Sequence, residues 1–159
     1  MSDRRTPFLV AGERETLLAF LDYLREAVLI KASGLDDEAL RRSLVPSGTS
    51  VLGLVKHLTM VEVAWFQWSF AGFDVPIPDQ GLDAGDTTES VIAGYRAAIE
   101  QSNALVAERH DLDELCARTR SDFEPLSLRW VLVHMVEETG RHAGHADILR
   151  EQLDGQTGR

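Results

Sequence analysis

Ser127 to Gly155, SLRWVLVHMVEETGRHAGHADILREQLDG, is the stretch whose reading decides the fold. Leu128, Val131, Met135, Leu149 and Leu153 recur at helical spacing and define one apolar direction. The spacing predicts a helix that starts near Leu126 or Ser127 and ends by Gly155. Glu138 and His142 are four residues apart on it, and His145 is three further on. At about 100° per residue these three share a stripe. His142 lies close to the centre of the apolar direction, Glu138 about 40° and His145 about 60° to the side. A carboxylate and an imidazole one turn apart can reach the same divalent cation. A plain ladder, with Glu138 pairing to Arg141, accounts for the carboxylate but not for His142.

Working outward, three more long helices are expected. The first covers Gly12 to Ala32, with Leu17, Leu18, Leu21, Leu24 and Val28 in phase and Gly34 placed to end it. A short helix over Asp36 to Leu44 has an acidic start and a basic end that suit the helix dipole. Val45 to Ser50 is a loop ending in hydroxyl caps. The second long helix runs from Ser50 to Phe70, and the third from Thr88 to Arg109. Asp74 to Asp86, with its prolines and glycines, is a loop, and His110 to Pro125 is a second connection with a short turn. No strand-like alternation, internal repeat or low-complexity segment is present. The fold class is therefore all-α: a single domain over residues 1–159, built as a four-helix bundle with long crossover loops.

A second helix then supplies a partner for the stripe. Around His57, the residues Leu54, Met60, Val61, Ala64 and Trp68 fall within about 60° on a helical wheel. His57 is thus expected at the centre of an apolar face, either as a satisfied core histidine or as a ligand. Two helices aim imidazoles at one interior and a carboxylate joins them. Each such group left unpaired would cost about 1–3 kcal/mol, and one divalent cation satisfies all three. A His, His, Glu set with an open position suits zinc first, and also nickel or iron. Of the other histidines, His110 sits in a charged loop and is expected to be exposed. His134 reads as a boundary residue.

Composition removes other classes. Hydrophobic residues make up 44% of the 159, enough for a globular core. A formal net charge of -10 argues against nucleic acid and against an anionic membrane surface as partners. One cysteine, Cys116, rules out an internal disulfide and fits a reducing cytoplasm. The N-terminal residues lack the apolar core of a signal peptide, and no stretch approaches the roughly 20 apolar residues that span a bilayer. The apolar run AWFQWSFAGF, residues 64–73, exceeds what one helix face buries and points to a homodimer.

The stretches SGTSVLGLVKHLTMVEVAWFQ (residues 47–67) and Ser127 to Gly155 together resemble the DinB-like superfamily. Within it they resemble the small DUF664 proteins grouped with mycothiol- and bacillithiol-dependent S-transferases. The similarity extends over essentially the whole chain. It implies a four-helix bundle holding a metal through three side chains, a histidine of the second helix matching His57 and two residues of the last. The last-helix pair is usually two histidines four apart. Here that spacing is filled by Glu138 and His142, as in the related maleylpyruvate isomerases, which use a glutamate and a histidine. His145 is left as an alternate ligand or an outer-shell residue.

The resemblance also implies a low-molecular-weight thiol as co-substrate and a small electrophile as its acceptor. The sequence offers no Ser-His-Asp or Cys-His nucleophile of its own. Trp68, on the His57 face, is a candidate wall for an apolar electrophile, or ordinary core or dimer packing. Arg141, at the rim, is a candidate to hold a carboxylate of the thiol. The alternative reading is a non-catalytic, stress-associated metal-binding bundle.

Overall fold

The computed structural model describes residues 6–7, 10–119 and 125–158. Four long helices form the bundle: α1 (Glu13–Lys31), α3 (Val51–Glu62, continued as a π-helical turn over Val63–Phe70), α4 (Thr88–Ala107) and α5 (Leu128–Asp154). A single short helix, α2 (Asp37–Arg41), lies between α1 and α3. The starts are set by side-chain caps. Asp36, Ser50 and Ser127 each accept from the backbone N–H three residues on, and Thr87 and Ser90 form a reciprocal capping box. α5 stops at Gly155, whose φ of 76° is the left-handed conformation that glycine adopts without strain.

Side-chain contacts fix the directions. Glu13 meets Arg129, Leu24 meets Gly140 and Lys31 meets Asp147, so α1 and α5 run parallel. Trp65 meets Trp130 and His57 meets Glu138, so α3 opposes α5. Arg14 donates to the carbonyls of Val106 and Arg109, so α4 opposes α1. The order is up-down-down-up. Residues 71–87 must therefore climb the full length of the bundle between α3 and α4. Lys56 ties this crossover down through Asp83 and Asp86 at 2.9 and 2.6 Å. The other long connection is pinned at its ends, where Cys116 N–H donates to Leu126 O and Leu128 N–H to Glu114 O. Residues 120–124 of that predicted connection lie outside the described residues.

The core has two apolar clusters, one around Val28, Leu54, Leu58, Tyr95 and Ala146, the other around Leu21, Val61, Phe66, Leu132 and Met135. Between them sits a buried ion pair. The Arg25 guanidinium reaches both oxygens of Glu62 at 2.7 Å and also donates to Asp22 and Asn103 at 2.8 Å. Arg25 is 2% exposed and Glu62 0%.

One expectation shifts here. The buried side of α3 is Val51, Leu54, Val55, Leu58, Val61 and Glu62, so His57 stands on its flank, half-buried, and not at the core centre. The helix is apolar on more than one side, and a wheel drawn from the residues nearest His57 misplaces the axis. The run 64–73 is covered only in part, and Phe73 is 47% exposed. Phe66 and Phe70 are inside, while Trp65 and Trp68 are half-buried. The π-helical turn puts more residues into each turn than the 3.6 of an α-helix, so the apolar positions of the run fall out of phase with an α-helical wheel.

Candidate metal centre

α3 and α5 converge on the carboxylate of Glu138. Its Oε1 lies 3.1 Å from His57 Nε2 and 3.0 Å from His142 Nε2. Its Oε2 receives Arg141 Nη2 at 2.5 Å, and Arg141 also reaches Glu137 at 3.1 Å. The carboxylate is thereby held with one oxygen committed to the imidazoles and the other to a guanidinium. The two rings stand edge to face with centroids 4.7 Å apart. One ligand atom from each of His57, Glu138 and His142 lies within 4.8 Å of the others, the arrangement needed to hold a metal ion.

The donor set fits a divalent cation. With bonds of about 2.0–2.1 Å, ligand atoms of a tetrahedral site sit about 3.3 Å apart, close to the 3.1 and 3.0 Å from Glu138 Oε1 to the two imidazole nitrogens. Two imidazole nitrogens and one carboxylate oxygen leave a fourth position open. His57 Nδ1 faces Gln80 Oε1 at 3.3 Å, from the crossover loop. When that nitrogen carries the proton, Nε2 presents a lone pair to the carboxylate, and a cation between them removes the repulsion. His142 Nδ1 is buried and has no hydrogen-bond partner among the described residues.

The electrostatics agree with such a set. Burial alone would raise the Glu138 carboxyl, but His57, His142 and Arg141 outweigh it and hold it below its ordinary value. Burial depresses the His142 imidazole, with His57 and His145 adding to it, and the Glu138 charge offsets this only in part. His142 therefore stays neutral, the form that binds metal, to lower pH than a free histidine.

The mycothiol-S-transferase family profile matches residues 16–155. The chain belongs to that family. In fold this mycothiol-S-transferase family member is similar to a DinB-like protein from Bacillus cereus ATCC 10987, at 18% identity and a TM-score of 0.62 over 87% of this chain and 91% of that one. It is likewise similar to a conserved protein from Enterococcus faecalis, at 16% identity and a TM-score of 0.62 over 92% and 100%. No curated protein is similar enough to count as a match. The DinB-like four-helix bundle is thus shown by profile and by shape.

Other expected residues of this family member fall outside the triad. His145 is exposed and touches the His142 ring edge to face at 5.5 Å, while its own side chain borders a cavity with Val45 and Ile148. Trp68 lines a 290 Å³ apolar cavity with Met60, Ala64, Trp65 and Ile77, and carries the Arg118 guanidinium over its ring at 5.6 Å. His134 is a boundary residue stacked on Trp130 at 5.0 Å, and His110 is exposed, both as expected. Cys116 is half-buried, and burial pushes its thiol up despite a hydrogen bond with Ser69, which disfavours a nucleophilic thiolate.

Sequence reasoning missed a second, more polar cavity of 570 Å³ that His57 shares with Arg41, Ser47, Thr49, Ser50 and Gln80. It missed Gln80 because a proline- and glycine-rich loop carries no periodicity to say which side chain faces inward. Among the described residues no helix is long and apolar enough to cross a membrane.

Proposed function

We propose that the protein is a metal-dependent S-transferase that joins a low-molecular-weight thiol of the mycothiol or bacillithiol type to a small electrophile in the cytoplasm. The convergence of His57, Glu138 and His142 on one point carries the reading. These three residues would hold a divalent metal, zinc before nickel or iron. With an open position, a divalent metal held there would supply the Lewis acidity that lets a thiol be present as thiolate at neutral pH. The thiol proton leaves to solvent. The sulfur pair then forms a bond to the electrophilic carbon, and the leaving group departs with its own bonding pair.

The chain's own residues divide the remaining work. The cavity of Arg41, Ser47, Thr49, Ser50 and Gln80 opens at His57 and offers hydroxyl, amide and guanidinium groups to a hydrophilic thiol body. The apolar cavity of Met60, Trp65, Trp68 and Ile77 lies further along α3 and suits the body of an apolar electrophile. Arg141 keeps Glu138 oriented and, at half exposure, also presents its guanidinium to a substrate carboxylate.

The test is conjugation of mycothiol or bacillithiol to an electrophilic dye, followed with zinc, with nickel and after chelation. Metal-dependent turnover abolished in His57→Ala supports the reading. Stoichiometric metal with no turnover on either thiol leaves a metal-binding bundle without transferase activity. Protein that takes up no metal defeats both.

A further inference from the structure

The two indoles that wall the apolar cavity of α3 are braced by other residues. Trp68 carries the Arg118 guanidinium over its ring at 5.6 Å. Arg118 is itself fastened to the π-helical turn, because its backbone N–H donates to Ser69 O at 2.9 Å and its carbonyl accepts from the Ser69 hydroxyl at 2.7 Å. Trp65 rests against Trp130 at 5.2 Å and against His134 at 4.8 Å, centroid to centroid. Ala64, Trp65 and Trp68, half of the cavity lining, all belong to the π-helical turn, a rare geometry that recurs at functional sites.

The cavity begins one turn from the triad. Met60 and Val61 follow His57 by three and four residues, about 5–6 Å along the helix. Ile77 supplies a wall from the crossover loop. Gln80, three residues further along that loop, meets His57 Nδ1 at 3.3 Å and lines the polar cavity instead. One short loop segment therefore borders a polar cavity and an aromatic one on either side of His57.

Size and chemistry narrow the occupant. A cavity of about 150 Å³ accepts a benzene ring, so 290 Å³ accommodates about two fused rings. Among the described residues every lining side chain is apolar or aromatic, so a charged substituent there would be desolvated without a partner. Ring-to-ring contacts add to what area burial alone contributes, and walls fixed in advance lose little side-chain entropy on binding.

We propose that this cavity selects the electrophile, one whose reacting carbon lies on or next to an uncharged aromatic system of one or two rings. Trp65 and Trp68 are the specificity-determining residues, Arg118 positions Trp68, and Ile77 limits the size. The reacting carbon faces the His57 end, next to the triad. The assignment of the ligand as an electrophile rests on the S-transferase reading above, whereas the aromatic preference of the cavity does not.

Calorimetric titration of the metal-free and the zinc-loaded protein with two unreactive probes, 2-naphthol and its saturated counterpart decahydro-2-naphthol, tests this. 2-Naphthol is expected to bind about tenfold tighter than the saturated probe, with or without zinc. Trp68→Leu should bring the two within about twofold of each other. Ile77→Trp, which fills the cavity, should abolish 2-naphthol binding. Both variants should keep their helical circular dichroism and their zinc content. Arg118→Ala should weaken 2-naphthol several-fold, and Arg118→Lys, which keeps a cation over the ring, should restore most of the loss. Equal affinities of the two probes for the wild type overturn the proposal, as does 2-naphthol binding that survives both Trp68→Leu and Ile77→Trp. A protein that binds 2-naphthol but conjugates no thiol loses the S-transferase reading and keeps the aromatic site, and zinc-dependent conjugation without 2-naphthol binding does the reverse.

Discussion

The His57 and His142 rings stand edge to face, centroids 4.7 Å apart, each directing Nε2 at the same oxygen of Glu138. They come from α3 and α5, which run in opposite directions, so their meeting is set by the bundle and not by local sequence. Because two imidazoles share one carboxylate oxygen, removing any one of the three side chains removes a ligand while leaving the other two in place. His57→Ala, Glu138→Ala and His142→Ala should each reduce bound zinc well below one per chain by elemental analysis. His145→Ala should leave it unchanged. Zinc lost in His145→Ala and kept in Glu138→Ala would reverse the assignment.

Gln80 holds the far nitrogen of His57 from the crossover loop that Lys56 of α3 also ties down through Asp83 and Asp86. Such outer partners fix the ring and its tautomer, and losing them weakens metal binding about 10–100-fold. Gln80→Ala should show a loss of that size by competition with a chelating dye, with secondary structure unchanged.

The site should respond to acid in a defined direction. The His142 imidazole is held below its ordinary value of 6.5. The unfolded chain therefore takes up that proton more readily than the folded one. Its contribution to stability is complete above 6.5 and is lost as the pH falls through the folded value. Nuclear magnetic resonance of the metal-free protein should show His142 titrating below 6.5. The Glu138 charge raises His142, so Glu138→Gln should move that titration lower still. A midpoint that rises in Glu138→Gln would contradict the electrostatic account.

The Arg25–Glu62 pair makes a strong prediction about stability. Removing one partner of a buried ion pair strands the other charge and costs about 3–5 kcal/mol. Glu62→Ala should lose that amount in urea unfolding. Replacing both together, Arg25→Met with Glu62→Leu, should recover most of it, because a well-packed apolar pair substitutes for a desolvated ionic one. Equal losses in the single and double variants would show that the hydrogen bonds from Arg25 to Asp22 and Asn103 matter more than the charge pair.

Much of this was legible in the sequence because it depends on neighbours along the chain. The helix ends follow from Asp36, Ser50, Thr87, Ser127 and Gly155, whose side chains or φ angles act within one turn. The Glu138–His142 spacing follows from helical pitch alone, and His57 stands out as a histidine within an apolar stretch of the second helix. The π-helical turn at Val63–Phe70 was not legible. Its i to i+5 bonding differs from an α-helix by one residue, which apolar periodicity over eight residues does not resolve. Glu62 was hidden for a related reason. It lies in phase with Val55 and Leu58, but nothing within α3 announces that Arg25 of another helix will neutralise it.

By itself the sequence determined the helices, the bundle class and two of the chemical groups that share one helical stripe, since these rest on local dihedral preference and on spacing. Only the tertiary structure decided that α3 and α4 run parallel, which drags residues 71–87 along the bundle and sets Gln80 against His57. It also decided that His57 sits on the flank of α3, where it reaches Glu138 and an open cavity, and not in the core. Those outcomes depend on which faces of two distant helices lie at the same height, and the free energy that selects this comes from packing the whole core at once.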